Sequence, residues 1–141
     1  MIFPKNLNLE MLNQFVEGNM LEHLGIRFTK IGEDYLEATM PVDHRTKQPF
    51  GLLHGGASVV LAETLGSVGA ACCVDPDHYH CVGLDINANH IKAVRSGQVK
   101  GCAKPIHLGK NTHVWEIKIV TEEGELACIS RITMAVLDKK S

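Results

Sequence analysis

Neither sign of charge dominates this 141-residue sequence: 14 Lys and Arg stand against 16 Asp and Glu, for a formal charge of -2. Such a chain has no global field to gather nucleic acid or an anionic membrane. Cations that bind an anionic ligand would have to be local. There is no CxxC pair, and the five cysteines (Cys72, Cys73, Cys81, Cys102 and Cys128) are odd in number. Lys5, Glu10 and Asn13 interrupt any apolar run near the start, so no secretory signal is expected. Together these absences favour reduced thiols in a cytoplasmic protein, most of them small core residues. Internal repeats, low-complexity tracts and long linkers are also missing. With 45% hydrophobic and 21% charged residues, residues 1–141 read as one globular domain large enough to bury a core without staples.

One long weakly charged run is present. Residues 55–74 carry a single charge, Glu63. The length could span a bilayer, but a carboxylate near the centre costs about 2.5–3.5 kcal/mol on insertion scales. The run is also rich in small residues and lacks flanking basic and aromatic anchors. It reads as a helix buried on most sides within a domain, with no membrane partner.

Around this run the pattern is α+β. Leu9, Leu12 and Phe15 have helical spacing over residues 7–20, with Gly18 as a stop. Residues 25–31 and 34–41 read as two strands about a Gly32-Glu33 turn, with Leu36, Ala38 and Met40 alternating against Glu37 and Thr39. Pro49 and Gly51 mark residues 42–53 as a loop. The long helix runs from Gly56 to Cys73, ended by Asp75-Pro76-Asp77. Four strands follow, over 81–91, 97–106, 112–121 and 125–137. Trp115, Ile117 and Ile119 share one face, and Ile132, Met134 and Val136 another. The last four strands can form an antiparallel sheet that wraps the helix. Open sheet edges invite a second copy.

The candidate chemistry lies at the start of the long helix and along it. Gly55 and Gly56 follow His54. Helix-start N–H groups lack internal partners, and glycine lets a ligand approach them. The helix N-terminus adds partial positive charge, so the site can polarise a carbonyl. Two turns on, Glu63 has Gly66, Ser67, Val59 and Val60 at neighbouring helical positions. Small residues leave room beside the carboxylate, and apolar ones would desolvate it, as suits a base or nucleophile. On spacing alone Glu63 reads equally as a buried carboxylate paired to another element. His54 reads equally as a backbone-satisfied histidine, and Gln48 as a loop amide.

The string Gln48-Pro49-Phe50-Gly51-Leu52-Leu53-His54-Gly55-Gly56-Ala57-Ser58, with Glu63, resembles the hotdog-fold acyl-CoA thioesterases. The subgroup it resembles is typified by the Arthrobacter-type 4-hydroxybenzoyl-CoA thioesterase. Within that subgroup it is most similar to the 1,4-dihydroxy-2-naphthoyl-CoA thioesterases of menaquinone biosynthesis, with enterobactin-pathway proofreading thioesterases close by. Glu17-Gly18-Asn19-Met20, Glu37-Ala38-Thr39-Met40-Pro41-Val42 and Gly83-Leu84-Asp85-Ile86-Asn87-Ala88-Asn89-His90 extend the similarity over nearly the whole chain. It implies a long central helix wrapped by an antiparallel sheet, and hydrolysis of an acyl-CoA without metal or cofactor. It implies Glu63 as nucleophile or general base, the Gly55 N–H on the thioester oxygen, Gln48 and His54 positioning thioester and water, and Ser67 assisting at the water. It also implies that Glu63 faces Gln48 and His54 across a subunit interface, in a dimer or a tetramer built from two dimers. CoA contacts are implied at Gly83, at His90, Ile91, Lys92 and Ala93, and at His107, Leu108, Gly109, Lys110, Asn111 and Thr112. Arg95 joins His90 and Lys92 in a basic cluster suited to phosphate, although Lys92 and Arg95 also read as a solvated charged edge.

Some positions depart from relatives. Glu63 stands where the phenylacetyl-CoA branch has Asp, Thr64 stands where Ser is frequent, and the loop from Asp75 to His80 is individual. A zinc site built from Cys72, Cys73, His78, His80 and Cys81 fits no common ligand spacing. The paired Asp and His of hotdog hydratases are not found. A hotdog protein that binds acyl-CoA or acyl carrier protein without turnover, or a proofreading enzyme acting on the carrier protein, is the alternative.

Overall fold

The computed structural model describes residues 1–140. The chain order is α1 (Leu9–Gln14), α2 (Met20–His23), β1 (Arg27–Ile31), β2 (Leu36–Pro41), α3 (Gly55–Cys72), β3 (Tyr79–His90), β4 (Gln98–Leu108), β5 (Thr112–Val120) and β6 (Leu126–Asp138).

The segment expected as one helix over 7–20 is two. Asn8 caps α1 by accepting the Met11 N–H at 2.9 Å. Asn19 caps α2 by accepting the Leu21 N–H at 2.9 Å, and its amide donates back to the Phe15 carbonyl at 2.7 Å. Asparagine serves both ends here because its short side chain competes well for backbone groups. The break turns the apolar face as well. Leu12 and Val16 are buried, whereas Phe15 is 53% exposed.

β2 shows the alternation read from its sequence: Leu36, Ala38 and Met40 are fully buried. The six strands form one antiparallel sheet in the order β1-β2-β4-β5-β6-β3. The expectation of a sheet built from the last four strands is thus widened, because β2 pairs with β4 along its whole length. β3 is carried to the far edge, where among the described residues it pairs only with β6. The loop over 42–53 is pinned. Arg45 donates to Asp43 through Nε at 3.1 Å and Nη2 at 2.7 Å, Thr46 Oγ1 donates to the Pro41 carbonyl at 2.8 Å, and Lys47 bridges Leu53.

α3 packs against β2, β3, β4, β5 and β6. Its window is apolar and long enough to cross a membrane by length and composition, yet half of it is buried inside the protein. Trp115, Ile117 and Ile119 of β5, with Ile132 and Met134 of β6, form the floor under the helix. Phe3 stacks on Trp115 at 6.4 Å between ring centroids. Two helical glycines set the depth of the dock. A Cβ at Gly69 would lie 2.9 Å from the Trp115 ring, and one at Gly66 2.5 Å from Ile132 Cγ2. Ile132 is buried and stiff at χ1, so it has little room to yield.

Gly66→Ala should therefore destabilise the protein by about 1–3 kcal/mol, although alanine is the better helix former. Denaturant unfolding checks this. A variant as stable as the parent, or more stable, would show that the helix does not sit as closely as described.

Candidate active site

The first site element is the start of α3. His54 is the N-cap, and its Nδ1 accepts the Gly56 N–H at 2.8 Å. In the neutral ring this puts the proton on Nε2. The N–H groups of Ala57 and Ser58 donate to the His54 carbonyl. Among the described residues, the Gly55 N–H has no partner. Of the donors that open the helix, it alone is free to meet a ligand, and the helix dipole lies behind it. A Cβ on Gly55 would sit 2.9 Å from His90 Nε2, so glycine permits the close approach of the His90 ring.

The preceding loop aims Gln48 at the same place. The Gln48 carboxamide oxygen accepts the Phe50 N–H, and the Gly51 N–H closes the turn onto the Gln48 carbonyl at 3.0 Å. Gly51 takes φ 83°, which a side chain would strain. With its oxygen held, Gln48 has its NH2 left to donate. Gln48, Gly55, Ser58, His90, Ile91, Lys92 and Ala93 line one cleft of about 340 Å³. The structure thus joins Gln48 and Gly55 to the segment from His90 to Ala93; His54 itself does not line that cleft, although its chain neighbours Leu53 and Gly55 do.

The second element is Glu63. It lines a smaller cleft of about 150 Å³ with Gly83, Leu84, Asp85, Ile86 and Ile132. A Cβ at Gly83 would lie 3.4 Å from Glu63 Oε2, so Gly83 meets the carboxylate directly. Ser67, one turn along α3, bonds weakly to Met134 Sδ at 3.8 Å. β3 bulges at Leu84, where register shifts between Gly83 and Asp85. Such a bulge next to a site re-aims side chains. Sequence reasoning gave Asp85 no role, although it is a second carboxylate in this cleft.

The expectation of a desolvated carboxylate is not met within one chain. Glu63 is exposed, and it makes no ion pair or hydrogen bond among the described residues. The buried, ion-paired alternative is not met either. Eight residues separate Gly55 from Glu63, about 12 Å of helix rise. A donor on a carbonyl oxygen and a group attacking that carbonyl each lie about 3 Å from it. The two elements of one chain therefore do not converge on one bond.

The two CoA segments are apart as well. His90 pairs with Cys128 at one end of β6, while Thr112 pairs with Ala135 towards the other. Seven residue steps from one partner to the other amount to roughly 23 Å. Leu108, Gly109 and Lys110 line a separate cleft of about 460 Å³ with Cys73, Val74, Asp75, Tyr79 and His113. Lys92 lies 3.3 Å from Glu125, and Arg95 shares a fourth cleft with Glu122, Glu123 and Glu125. This acidic turn beside the basic cluster joins β5 to β6.

In the 75–81 region, His78 Nδ1 meets Asp75 Oδ2 at 2.6 Å, which raises the His78 pKa. The Asp77 N–H, and then His78, hold Asp75 low. Burial pushes the Cys72 thiol up to about 11 and Cys73 to about 12. These thiols are protonated near neutrality and behave as core residues.

Residues 50–128 match the Thioesterase superfamily. The chain is 57% identical to 1,4-dihydroxy-2-naphthoyl-CoA hydrolase of Escherichia coli (strain K12), over 97% of this chain and 100% of that protein. It is 53% identical to the proofreading thioesterase EntH of Cronobacter sakazakii, over 97% of this chain and 99% of that one. A thioesterase crystal structure from Haemophilus influenzae superposes with a TM-score of 0.94 at 54% identity, covering 98% of this chain and 96% of that one. A mutant thioesterase from Pseudomonas aeruginosa gives 0.96 at 50% identity, covering 99% and 100%. With a long helix docked on a six-stranded antiparallel sheet and this likeness along its length, the chain belongs to the thioesterase superfamily and has the hotdog fold.

Proposed function

We propose that this protein hydrolyses aromatic acyl-CoA thioesters, such as 1,4-dihydroxy-2-naphthoyl-CoA, to the free acid and CoA, at sites shared between two copies of the chain. The observation that carries the reading is the division of labour along α3. The one free N–H at the helix start and the unpaired Glu63 carboxylate are too far apart to act on one thioester within a chain. Each suits one half of the reaction.

A second copy supplies the missing half. β3 is twelve residues long and has an unpaired edge, and Val82 and Leu84 on it are exposed. Antiparallel edge-to-edge pairing about a twofold axis would set the two α3 helices side by side in opposite directions. Glu63 of one copy then approaches Gly55, His54 and Gln48 of the other. The same operation brings the His90 end of one β3 to the Tyr79 end of the second, where Leu108 to Thr112 of that copy lie. The two CoA segments become one surface. Two such dimers can pair into a tetramer.

In this site the Gly55 N–H polarises the thioester carbonyl, and the Gln48 amide and His54 Nε2–H orient the ester and water. Glu63 either attacks the carbonyl carbon and expels the CoA thiolate as a mixed anhydride forms, or takes a proton from attacking water. In the first course water then cleaves the anhydride. Ser67 orients that water. Closure of the interface would also supply the desolvation that one chain lacks. No metal or cofactor enters these steps. Five unpaired cysteines suit work in the cytoplasm.

Thiol release from benzoyl-CoA, measured with a chelator present, tests this. Glu63→Gln should lower kcat by about 10²–10⁴-fold, while CoA-ester binding persists. A single turnover in ¹⁸O-water with enzyme in excess then locates the attack of water: label in Glu63 means nucleophilic attack by Glu63, and label only in the product means that water attacks the acyl carbon. Near-parental kcat in Glu63→Gln, or no turnover of any acyl-CoA by the parent, would overturn the reading. Lys92→Ala should raise KM for benzoyl-CoA more than it lowers kcat, because a nucleotide contact acts equally in ground and transition states. Equal losses with benzoyl-pantetheine, which lacks the nucleotide, would make Lys92 structural.

A further inference from the structure

Of the ionic groups outside the proposed reaction steps, the β5–β6 turn has the most direct line to the site. Thr121 closes the turn: its N–H donates to the Glu125 carbonyl at 2.9 Å, and its Oγ1 accepts the Glu125 N–H at 3.1 Å. This backbone geometry does not use the Glu125 side chain. The carboxylate reaches instead to Lys92 Nζ at 3.3 Å. Lys92 is also on the wall of the cleft that holds Gln48, Gly55 and His90. On its other side it lines a cleft of about 290 Å³ with Arg95, Glu122, Glu123 and Glu125. Glu122 folds back over Gly97, where a side chain would collide with its carboxylate.

Two cations and three carboxylates line that cleft, a local balance of -1. This is a poor arrangement for tight capture of a polyphosphate. A phosphate that reaches Lys92 must displace Glu125 or sit beside its charge. Both side chains are about half exposed, 47% for Lys92 and 55% for Glu125, so the pair exchanges readily and is sensitive to salt.

We propose that Glu125 is a specificity-determining residue: it competes with the phosphates of CoA for Lys92 and so weakens nucleotide binding. The proposal rests on the reading of Lys92 as a CoA contact. Weak nucleotide capture fits an enzyme whose product carries the same nucleotide as its substrate. A tight grip on CoA would slow product release without helping the chemical step, because the grip is equal before and during reaction.

The test compares the parent, Glu125→Gln, Lys92→Ala and the double variant on benzoyl-CoA and benzoyl-pantetheine. Glu125→Gln keeps the turn, since its backbone bonds are untouched. We expect it to lower KM for benzoyl-CoA by about two- to fivefold at low salt, the size that a half-exposed charge pair supports. The gain should fade as salt is raised, be absent with benzoyl-pantetheine, and vanish in the Lys92→Ala background, as a direct coupling requires. An unchanged or raised KM in Glu125→Gln, with Lys92→Ala still raising KM, overturns the role of Glu125 and leaves the thioesterase reading standing. A gain that persists in the Lys92→Ala background also overturns it. No turnover by the parent overturns both.

Discussion

The close seating of α3 on the sheet is the constraint on which the rest depends. Gly66 and Gly69 face Ile132 and the Trp115 ring at distances that no Cβ would tolerate unaltered. The helix backbone therefore lies against the sheet and is fixed there by close packing. That seating presents the helix start to the ledge from His90 to Ala93, and holds Glu63 at the bulge of β3. Small residues are thus used twice along one helix: inward for proximity to the sheet, and at its start for proximity to a ligand.

Much of this was legible in the sequence because period and small-residue placement are local signals. Leu36, Ala38 and Met40 alternate in the sequence and are buried in β2; Trp115, Ile117 and Ile119 do the same in β5. The glycine pair after His54 marked the helix start within a residue. Resemblance to thioesterases, read from the same stretch, agrees with the family to which the chain belongs. What was hidden was non-local. Nothing in the order of strands announces that β3 crosses to the far edge beside β6. The split of the first helix was hidden for another reason: Asn19 is as good a cap as it is a poor helix residue, and spacing counts do not weigh that competition.

The resemblance implied both the residues of the site and their division across a subunit interface, whereas spacing alone implied no arrangement. Spacing put Glu63 and Gly55 on one helix. Helix rise separates them, and the chain alone leaves Glu63 exposed. The resemblance implied CoA contacts at the segments His90 to Ala93 and His107 to Thr112, and the register of β5 on β6 sets these near opposite ends. Glu125 was missed because a charged turn in sequence is ordinarily solvated; only the distance to Lys92 gives it a role. The proposed twofold partner along β3 would resolve these separations, and the shared site is therefore the central claim of the account.

Hybrid assemblies test that claim most directly. Glu63→Ala and His54→Ala chains, each inactive by itself, would be co-expressed with different tags, and assemblies carrying both tags isolated and assayed with benzoyl-CoA. If Glu63 of one copy works with His54 of the other, one site in each hybrid dimer is built from two intact halves. The hybrids then recover up to about half the parental activity per dimer, by site counting for a twofold interface. Hybrids as inactive as either parent variant would mean that each chain carries its whole site, contradicting the shared arrangement.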